Sequence, residues 1–492
     1  MDIRDYDVIV LGAGAAGENV ADRARQGGLT ALLTEHALVG GECSYWACMP
    51  SKALLRSAAV IRAAQRVPGA AQAVTGALDT DAVLARRDAF TNHWSDESQA
   101  EWAEGAGIDV LRGHARITAP KQVLVDLPGE GEIHLTARHA VVVATGSDAF
   151  IPDIDGLRAA QPWTSRDATS ARSIPASLAI IGGGVIAAEM ATAYAGLGAS
   201  VTVISRGALL EGMEPFAGEK VLESLAELDV AIHLATETTR VSRDQQGFTV
   251  ETNTGETITA EKLLVATGRS PRTRDIGLGA IGLTPGDWIT TDDTLLVTGF
   301  DWLYAVGDVN HRALLTHQGK YQARAAGDAI VARANGASLS DRPWGTHVAS
   351  ADHQAVPQVT FTDPEVASVG LTASAARDAG YRVRAVDYEI GDVAGASVHS
   401  DEYAGRARMV VDEDRNVILG ATFVGQDVSE VLHAATIAIV AEVPLDRLWH
   451  AVPAYPTISE IWLRLLETYG RPGNGHGSSM EAEPAYSFAS GG

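Results

Sequence analysis

The sequence predicts an α/β protein with two Rossmann-like dinucleotide-binding domains, followed by a C-terminal mixed α/β domain. Two observations carry this prediction. The chain has 492 residues, enough for about three domains. A short apolar strand, a glycine-rich turn and a helix-forming stretch occur near residue 12 and again near residue 182. Alternating strands and helices of this kind build parallel sheets.

The first of these units has the features of a dinucleotide site. The apolar strand 6–11 leads into Gly12, Gly14 and Gly17, then a helix to about residue 26, then a second strand that ends on Glu35. Glycines let the backbone approach a pyrophosphate, and a carboxylate at the end of the second strand can accept a hydrogen bond from a ribose hydroxyl. The unit therefore predicts a bound dinucleotide.

The second unit repeats the pattern with one difference. Gly182 and Gly184 follow the strand 178–181, but Ser205 and Arg206 follow the second strand, where a site for NAD usually presents an acid. A missing carboxylate and an added guanidinium favour a ribose with a 2′-phosphate, and therefore NADPH over NADH. The alternatives are that Arg206 is an ordinary surface arginine and that NADH is used.

Cys43 and Cys48 are the only cysteines in the sequence. One close pair suits neither a disulfide scaffold nor a zinc site with three or four ligands, so we predict no metal site and interpret the pair as a redox-active dithiol. Pro50 suits the first turn of a helix, which puts Cys48 at a helix N-terminus that favours its thiolate. The alternative is two unconnected buried thiols.

Composition disfavours two classes of partner. The formal charge of −24 disfavours nucleic acid and anionic membrane surfaces by repulsion. The first residues are charged and run into a strand, which is not typical of a signal peptide. The most apolar region, 178–204, contains a glycine cluster and Glu189, so it does not indicate a membrane span. We expect a soluble cytoplasmic protein.

Further motifs occur in a fixed order along the chain. They are the cysteine pair after the first unit, the strand ends at 143–146 and 265–268, Tyr-Ala-Val-Gly-Asp at 304–308, and the stretches 359–365 and 369–372. Together they resemble the FAD-dependent pyridine nucleotide-disulfide oxidoreductases of class I. That family includes dihydrolipoamide dehydrogenase, glutathione and mycothione reductases and mercuric reductase. The resemblance covers about residues 6–467.

The resemblance implies a domain plan and an assembly. An FAD-binding domain would comprise residues 1–150 and 280–345, an NAD(P)H-binding domain 151–279, and a dimerisation domain 346–470. Residues 471–492 are predicted to form a flexible tail, because glycine and small polar residues dominate there. The expected cofactors are FAD and NADPH, and the expected assembly is a homodimer.

The resemblance also implies site residues. FAD would be held by Gly12, Gly14, Gly17, Glu35, Lys52, Ala115, Thr145, Gly146, Asp308 and Thr316, with His317 either near the flavin or packed. The pyridine nucleotide would be held by Gly182, Gly184, Ser205, Arg206 and Gly268. Lys52 would lie beside the flavin, paired with Glu189.

The implied activity is reduction of a small disulfide. Electrons would pass from NADPH through FAD to a Cys43–Cys48 disulfide, with Cys48 as the thiolate near the flavin and Cys43 as the residue that attacks the substrate. The family's His-Pro motif, contributed across the dimer, has Tyr455 at the histidine position here, although the glutamate is kept as Glu460. A phenol with a pKa near ~10 does not shuttle protons at neutral pH as imidazole does.

Several alternatives stay open. His450 could replace the missing imidazole or have no such role, and Tyr45 and Trp46 could form a wall for a planar substrate or simply pack. The activity could instead be metal-ion reduction of the mercuric type, or quinone reduction at the flavin. A non-enzymatic redox sensor is the alternative from another class, and two complete nucleotide motifs argue against it.

Overall fold

The structure is a computed structural model that describes residues 3–471. The predicted tail, apart from Arg471, lies outside the described residues. The helices are α1 (Ala15–Gln26), α2 (Gly41–Tyr45), α3 (Cys48–Gln65), α4 (Thr80–Phe90), α5 (Glu97–Gly105), α6 (Ser165–Thr169), α7 (Val185–Gly196), α8 (Pro215–Glu227), α9 (Thr316–Ala334), α10 (Ala351–Gln354), α11 (Ala373–Asp378), α12 (Ala394–His399), α13 (Leu432–Val440), α14 (Leu445–Leu448) and α15 (Ile461–Tyr469).

The strands are β1 (Ile3–Leu11), β2 (Ala31–Glu35), β3 (Asp109–Arg112), β4 (His114–Ala119), β5 (Gln122–Leu127), β6 (Gly131–Val143), β7 (Ser147–Ala149), β8 (Ser177–Ile181), β9 (Ser200–Ile204), β10 (Ala231–His233), β11 (Thr238–Arg243), β12 (Phe248–Thr252), β13 (Thr257–Ala260), β14 (Lys262–Val265), β15 (Arg269–Pro271), β16 (Leu303–Ala305), β17 (Pro357–Thr360), β18 (Glu365–Gly370), β19 (Val383–Glu389), β20 (Arg406–Asp412) and β21 (Val417–Gly425).

Within the described residues the chain forms two compact units, one of residues 3–58, 78–209 and 226–356, the other of residues 59–77, 210–225 and 357–471. In the first unit, the main sheet has the order β3-β2-β1-β6-β5-β4, with β16 beside β6. Strand β1 is parallel to both β2 and β6. Its side chains alternate between the two faces, so Val8 and Val10 pack in one core cluster and Ile9 and Leu11 in another.

A second Rossmann-type sheet in the same unit has the order β10-β9-β8-β14, and all of its strands are parallel. Strands β11, β12 and β13 form an antiparallel sheet, and β7 pairs with β15. In both Rossmann-type sheets the first strand leads directly through a glycine turn into a helix. The predicted α/β class with two Rossmann-like domains is therefore confirmed.

The second unit contains an antiparallel sheet of order β17-β18-β21-β20-β19. Strand β21 is buried along its whole length, because it lies between two neighbouring strands and helix α13 packs against it. This is the predicted C-terminal mixed α/β domain. The domain boundaries given above stay a prediction. Among residues 3–471, no helix is both long enough and apolar enough to cross a bilayer.

Candidate functional site

The first glycine turn lies between β1 and α1 and leaves no room for side chains. Gly12 has a φ of 99°, and a Cβ atom added there would lie 2.5 Å from the carbonyl oxygen of Ala144. A Cβ atom added at Gly17 would lie 2.0 Å from the carbonyl oxygen of Gly12. Strand, turn and helix thus pass so close together that only glycine fits. The backbone at this helix start is accessible to a pyrophosphate.

Glu35, at the end of β2, holds this turn in place. Its Oε2 accepts a hydrogen bond from the backbone N–H of Ala13 at 2.9 Å, and its Oε1 accepts one from Ala37 at 2.8 Å. Each carboxylate oxygen has a second lone pair for another donor. A buried carboxylate fixed in this way is compatible with the predicted contact to a ribose hydroxyl.

The dithiol lies on two consecutive helices, with Cys43 inside α2 and Cys48 as the first residue of α3. The predicted helix start at Cys48 is confirmed. Both cysteines are free thiols, and the Sγ atom of Cys48 lies 3.3 Å from Oγ1 of Thr316. The pair is therefore a dithiol that helix α9, which begins with Thr316, touches from one side.

The two thiols differ in acidity. The pKa of Cys48 is lowered to about 6, chiefly by a hydrogen bond from the Cys43 thiol and further by Thr316 and by the nearby positive charge of Lys52. The pKa of Cys43 is raised, because its thiol donates to Cys48 and because it is buried. At neutral pH the structure favours a thiolate on Cys48 and a thiol on Cys43.

Lys52 and Glu189 come together as the resemblance implied. The Nζ of Lys52, on α3, lies 2.8 Å and 3.1 Å from the two carboxylate oxygens of Glu189, on α7. Glu189 is buried, so a cation beside it offsets the cost of burying its charge. This ion pair links the helix that carries Cys48 to the helix that follows the second glycine turn.

Asp308 and Thr145 are also held by specific hydrogen bonds. Asp308 Oδ2 accepts from the hydroxyl of Ser147 at 2.5 Å, and that hydroxyl accepts from Nε of Arg269 at 2.6 Å. The Thr145 hydroxyl donates to the carbonyl oxygen of Arg272 at 2.7 Å. The sequence reasoning missed Ser147 and Arg269, because neither belongs to a recognisable local pattern.

Glu42, next to Cys43, is a second feature that the sequence reasoning missed. Its Oε1 accepts from Nε of Arg166 at 2.5 Å and from Nη2 of Arg272 at 2.8 Å. The Arg166 guanidinium also lies 3.9 Å from the centre of the Trp46 ring. These contacts hold Glu42, just before Cys43, and Trp46, between the two cysteines, in position. Trp46 packs against a cation here.

Tyr45, by contrast, is buried in the protein interior. It is 1% exposed, and its hydroxyl donates to Oε1 of Gln99 at 3.0 Å. Burial raises the pKa of this phenol to about 12. The structure therefore favours the packing interpretation for Tyr45.

A cavity of about 540 Å³ joins the first glycine turn to the dithiol. Cys43 lines it directly, and Cys48 is next to Thr316, which also lines it. The other predicted FAD-site residues that line it are Gly12, Gly14, Glu35, Ala115, Thr145, Gly146 and Asp308. Gly17 and Lys52 are the two predicted FAD residues outside the lining. The glycine cradle and the fixed carboxylates of Glu35 and Asp308 fit FAD.

The second glycine turn repeats the geometry of the first. Gly182 has a φ of 134°, and a Cβ atom there would lie 2.2 Å from the carbonyl oxygen of Ala266. Gly184 caps the N-terminus of α7, and Gly268 follows β14 with a φ of 130°. The hydroxyl of buried Ser205 would lie 2.3 Å from a Cβ atom on Gly183. The turn thus fits a second nucleotide.

Arg206 is exposed directly after β9, next to Ser205. This position, at the carboxyl end of a parallel strand, is where the adenosine ribose binds in Rossmann folds. A guanidinium there is available for a 2′-phosphate.

The residues near the C-terminus are arranged differently from the implied histidine–glutamate pair. Tyr455 is 74% exposed, His450 is exposed, and Glu460 is buried. Glu460 Oε1 accepts from Nη2 of Arg464 at 2.9 Å, while its Oε2 is buried without a hydrogen bond from the described residues. Glu460 therefore has a guanidinium as its partner in this chain.

His317 is exposed at the start of α9. In the described part of the chain, no group of three or more His, Cys, Asp or Glu side chains could hold a metal ion.

Two family profiles match this chain. The profile described as "Pyridine nucleotide-disulphide oxidoreductase" matches residues 6–332, and the dimerisation domain of the same family matches residues 356–465. Together they cover both described units, including the cavity and the dithiol.

Curated relatives agree with these matches. A mercuric reductase of Staphylococcus aureus is 31% identical over 93% of this chain and 81% of its own length. A mercuric reductase of Streptomyces lividans is 30% identical over 94% of this chain and 96% of its own length. A dihydrolipoyl dehydrogenase of Chlorobaculum tepidum is 31% identical over 92% of this chain and 95% of its own length.

Among solved structures, the HOCl-induced flavoprotein disulfide reductase RclA of Escherichia coli, as its Cu(II) complex, superposes with a TM-score of 0.81. The match covers 94% of this chain and 99% of RclA at 22% sequence identity, and it shows the shared fold. With the family profiles, the relatives and the two-nucleotide architecture in agreement, the chain belongs to the FAD-dependent pyridine nucleotide-disulfide oxidoreductases, enzymes that use FAD and NADH or NADPH and act on sulfur groups.

Proposed function

We propose that this enzyme is an NADPH-dependent reductase of a small disulfide and that Cys43 and Cys48 form its redox centre. The observation that carries this proposal is the asymmetric dithiol on the wall of the cofactor cavity. One thiol is acidified to a pKa of about 6, and the other lines the cavity as a thiol. FAD, when bound, supplies two-electron transfer from the nicotinamide to this pair.

In this proposal each residue of the site has a distinct role in disulfide reduction. Cys43 attacks one sulfur of the acceptor and forms a mixed disulfide, and Cys48 then attacks Cys43, which closes the protein disulfide and releases the second thiol. Lys52 places a positive charge near the thiolate, and Glu189 holds Lys52 in position. Thr316 supplies a hydroxyl next to the Cys48 sulfur. The glycine turns and Glu35 orient the cofactors.

Steady-state assays with a panel of acceptors test this proposal. The holoenzyme should oxidise NADPH fastest with one member of a disulfide panel that includes lipoamide, glutathione disulfide and mycothiol disulfide. Quinones and Hg(II), assayed at matched concentrations, serve as the comparison. Turnover with a quinone that exceeds turnover with every disulfide would contradict the proposal and favour acceptor reduction at the flavin.

Metal-ion reduction is the second candidate function, because relatives named mercuric reductase are 30–31% identical to this chain over nearly its whole length. Soft thiolates are the preferred ligands of soft metal ions. The sequence, however, contains no cysteine beyond Cys43 and Cys48. The Hg(II) arm of the panel decides this question: Hg(II)-dependent oxidation of NADPH without added thiol would favour the metal substrate.

The preference for NADPH is tested at Arg206. Replacement of Arg206 by alanine should raise the KM for NADPH by about 10-fold or more, because a charge-assisted contact to the 2′-phosphate is lost. The KM for NADH should change little. Arg172→Ala, which removes another exposed arginine of the same unit, is the matched control. Equal effects on both nucleotides, or no effect on either, would contradict the assignment.

We infer that the enzyme is a homodimer. The three most exposed large apolar side chains among the described residues are Val452 (84%), Val398 (78%) and Tyr455 (74%), and all three lie in the segment that matches the dimerisation domain. The match to a dimerisation domain carries this inference, and the exposed apolar side chains of that segment are candidates for the contact surface. Sedimentation should give twice the chain mass of 51.5 kDa, and Val452→Asp should shift the distribution toward single chains. A single-chain mass for the unaltered protein would contradict the inference.

A further inference from the structure

Helix α9 reaches the dithiol with its first turn. Thr316 is the first residue of α9, and its Oγ1 lies 3.3 Å from the Sγ atom of Cys48. Leu315, at the N-cap position, makes no side-chain hydrogen bond to this helix. A first turn without a side-chain cap has backbone N–H groups that lack an intrahelical partner, and it frays unless another contact holds it. The position of the Thr316 hydroxyl therefore depends on what holds this turn from outside.

A buried carboxylate holds the start of α9. The side chain of Asp352, on α10, is 1% exposed. Its Oδ1 accepts a hydrogen bond at 2.8 Å from Nε2 of Gln318, in the first turn of α9. Its Oδ2 accepts at 2.9 Å from Nε2 of Gln322, in the second turn, and at 2.8 Å from Nε of Arg312, in the loop before α9. One carboxylate thus joins the first two turns of α9 to the loop that leads into them.

The same network reaches the turn that carries Asp308. Oε1 of Gln322 accepts from the backbone N–H of Gly307 at 2.9 Å and from Nδ2 of Asn310 at 2.8 Å. Gln322 is fully buried, and its amide nitrogen donates to Asp352, so its oxygen is the atom that faces this turn. Gly307 and Asp308 line the cofactor cavity. Asp352 therefore orders a turn of the cofactor site as well as the helix that touches the dithiol.

The contacts of Asp352 require a carboxylate. Three N–H groups converge on its two oxygens, and a carboxylate accepts from up to about four donors. An asparagine amide has one oxygen, and its NH₂ group would face donors that then lack an acceptor. After the Cys43 thiol, Thr316 is the side chain that lowers the pKa of Cys48 by a hydrogen bond. A displaced first turn of α9 would therefore change the acidity of Cys48.

We propose that Asp352 is a positioning residue for the dithiol: through Gln318 it fixes the first turn of α9, which keeps the Thr316 hydroxyl at the Cys48 sulfur. The inference rests on the proposed disulfide reduction for its meaning in turnover, because there the Cys48 thiolate resolves the mixed disulfide. The acidity of Cys48 is measured without any acceptor, so the two proposals are tested separately.

The test uses the Cys43→Ser holoenzyme, in which Cys48 is the sole thiol of the chain. A pH titration of the ultraviolet absorbance of the thiolate gives the pKa of Cys48. Thr316→Val should raise this pKa by about one pH unit, because a hydrogen bond to a thiolate is lost. Asp352→Asn should raise it by a similar amount. Both substitutions together should raise it no further, since they remove the same contact.

Two more variants separate this role from a general loss of structure. Gln318→Ala removes the link from Asp352 to the first turn of α9 and keeps the other contacts of Asp352, and it should reproduce the rise in the pKa of Cys48. Asp293→Asn is the matched control. The Asp293 carboxylate accepts from Nη2 of Arg312 at 2.8 Å and has no hydrogen bond to α9 among residues 3–471, so the pKa should stay unchanged. The absorbance of bound FAD checks that each variant is folded.

Each outcome decides one point. An unchanged pKa of Cys48 in Thr316→Val, or in both Asp352→Asn and Gln318→Ala, would overturn the role of Asp352. A rise in the doubly substituted protein equal to the sum of the two single rises would also overturn it. If Asp352→Asn does not retain FAD, Gln318→Ala decides alone. A reduced unaltered enzyme that reacts with no disulfide would contradict the proposed function and leave the pKa comparison intact.

Discussion

Replacement of either Cys43 or Cys48 by serine should lower the turnover of a disulfide acceptor by about 10³-fold or more. The reason is that the two sulfurs act in sequence, so the loss of either one stops the same cycle. A serine hydroxyl is isosteric with the thiol but is not ionised at neutral pH and cannot form a mixed disulfide. Steady-state oxidation of NADPH with the best disulfide of the panel measures this effect.

The two serine variants should differ in what they retain. Cys43→Ser keeps the acidified sulfur of Cys48, and the serine hydroxyl can donate a hydrogen bond to it in place of the Cys43 thiol, so the pKa of Cys48 should stay below the ordinary value for a thiol. Cys48→Ser keeps the sulfur that lines the cavity but has no second thiol to resolve a mixed disulfide. Bound FAD, measured by its visible absorbance, is the control for folding. Disulfide turnover within a few fold of the unaltered enzyme in either variant would contradict the proposal.

Alanine at Gly182 should abolish reduction by NADPH and leave FAD bound, whereas alanine at Gly12 should abolish FAD binding. The added methyl group would lie 2.2 Å from the carbonyl oxygen of Ala266 in the first case and 2.5 Å from that of Ala144 in the second. Both glycines also have positive φ, which alanine adopts only with strain. Each substitution would therefore displace a turn that approaches a different nucleotide.

The pair of glycine variants is its own matched control. Each variant alters one of two glycine turns with the same geometry. Absorbance of bound FAD and titration with NADPH should therefore show loss of FAD in Gly12→Ala and loss of NADPH binding in Gly182→Ala. Gly184→Ala is a milder comparison, because a Cβ atom there has no neighbour within 4 Å and φ is negative. Normal binding of both cofactors in Gly12→Ala and Gly182→Ala would show that neither turn holds a nucleotide.

The local sequence pattern was sufficient to predict the fold and part of the site. Glycine turns after apolar strands predict close backbone approaches, and the structure has them at Gly12 and Gly182. Pro50 predicted a helix start that the structure places at Cys48. The Lys52–Glu189 pair came from the resemblance alone, since 136 intervening residues carry no signal for it.

The residues that the sequence did not reveal interact across long separations. Glu42 is paired with Arg166 and Arg272, and nothing in a glutamate between a glycine and a cysteine predicts two arginine partners.

The central claim is that Cys43 attacks the acceptor and Cys48 resolves the product. Trapping measures this most directly: reduced Cys48→Ser enzyme is mixed with a disulfide, quenched in acid and analysed by peptide mass spectrometry. The account predicts a mixed disulfide of the acceptor on Cys43, with one thiol released per chain. No adduct on Cys43, while the same enzyme still oxidises NADPH with a quinone, would contradict it.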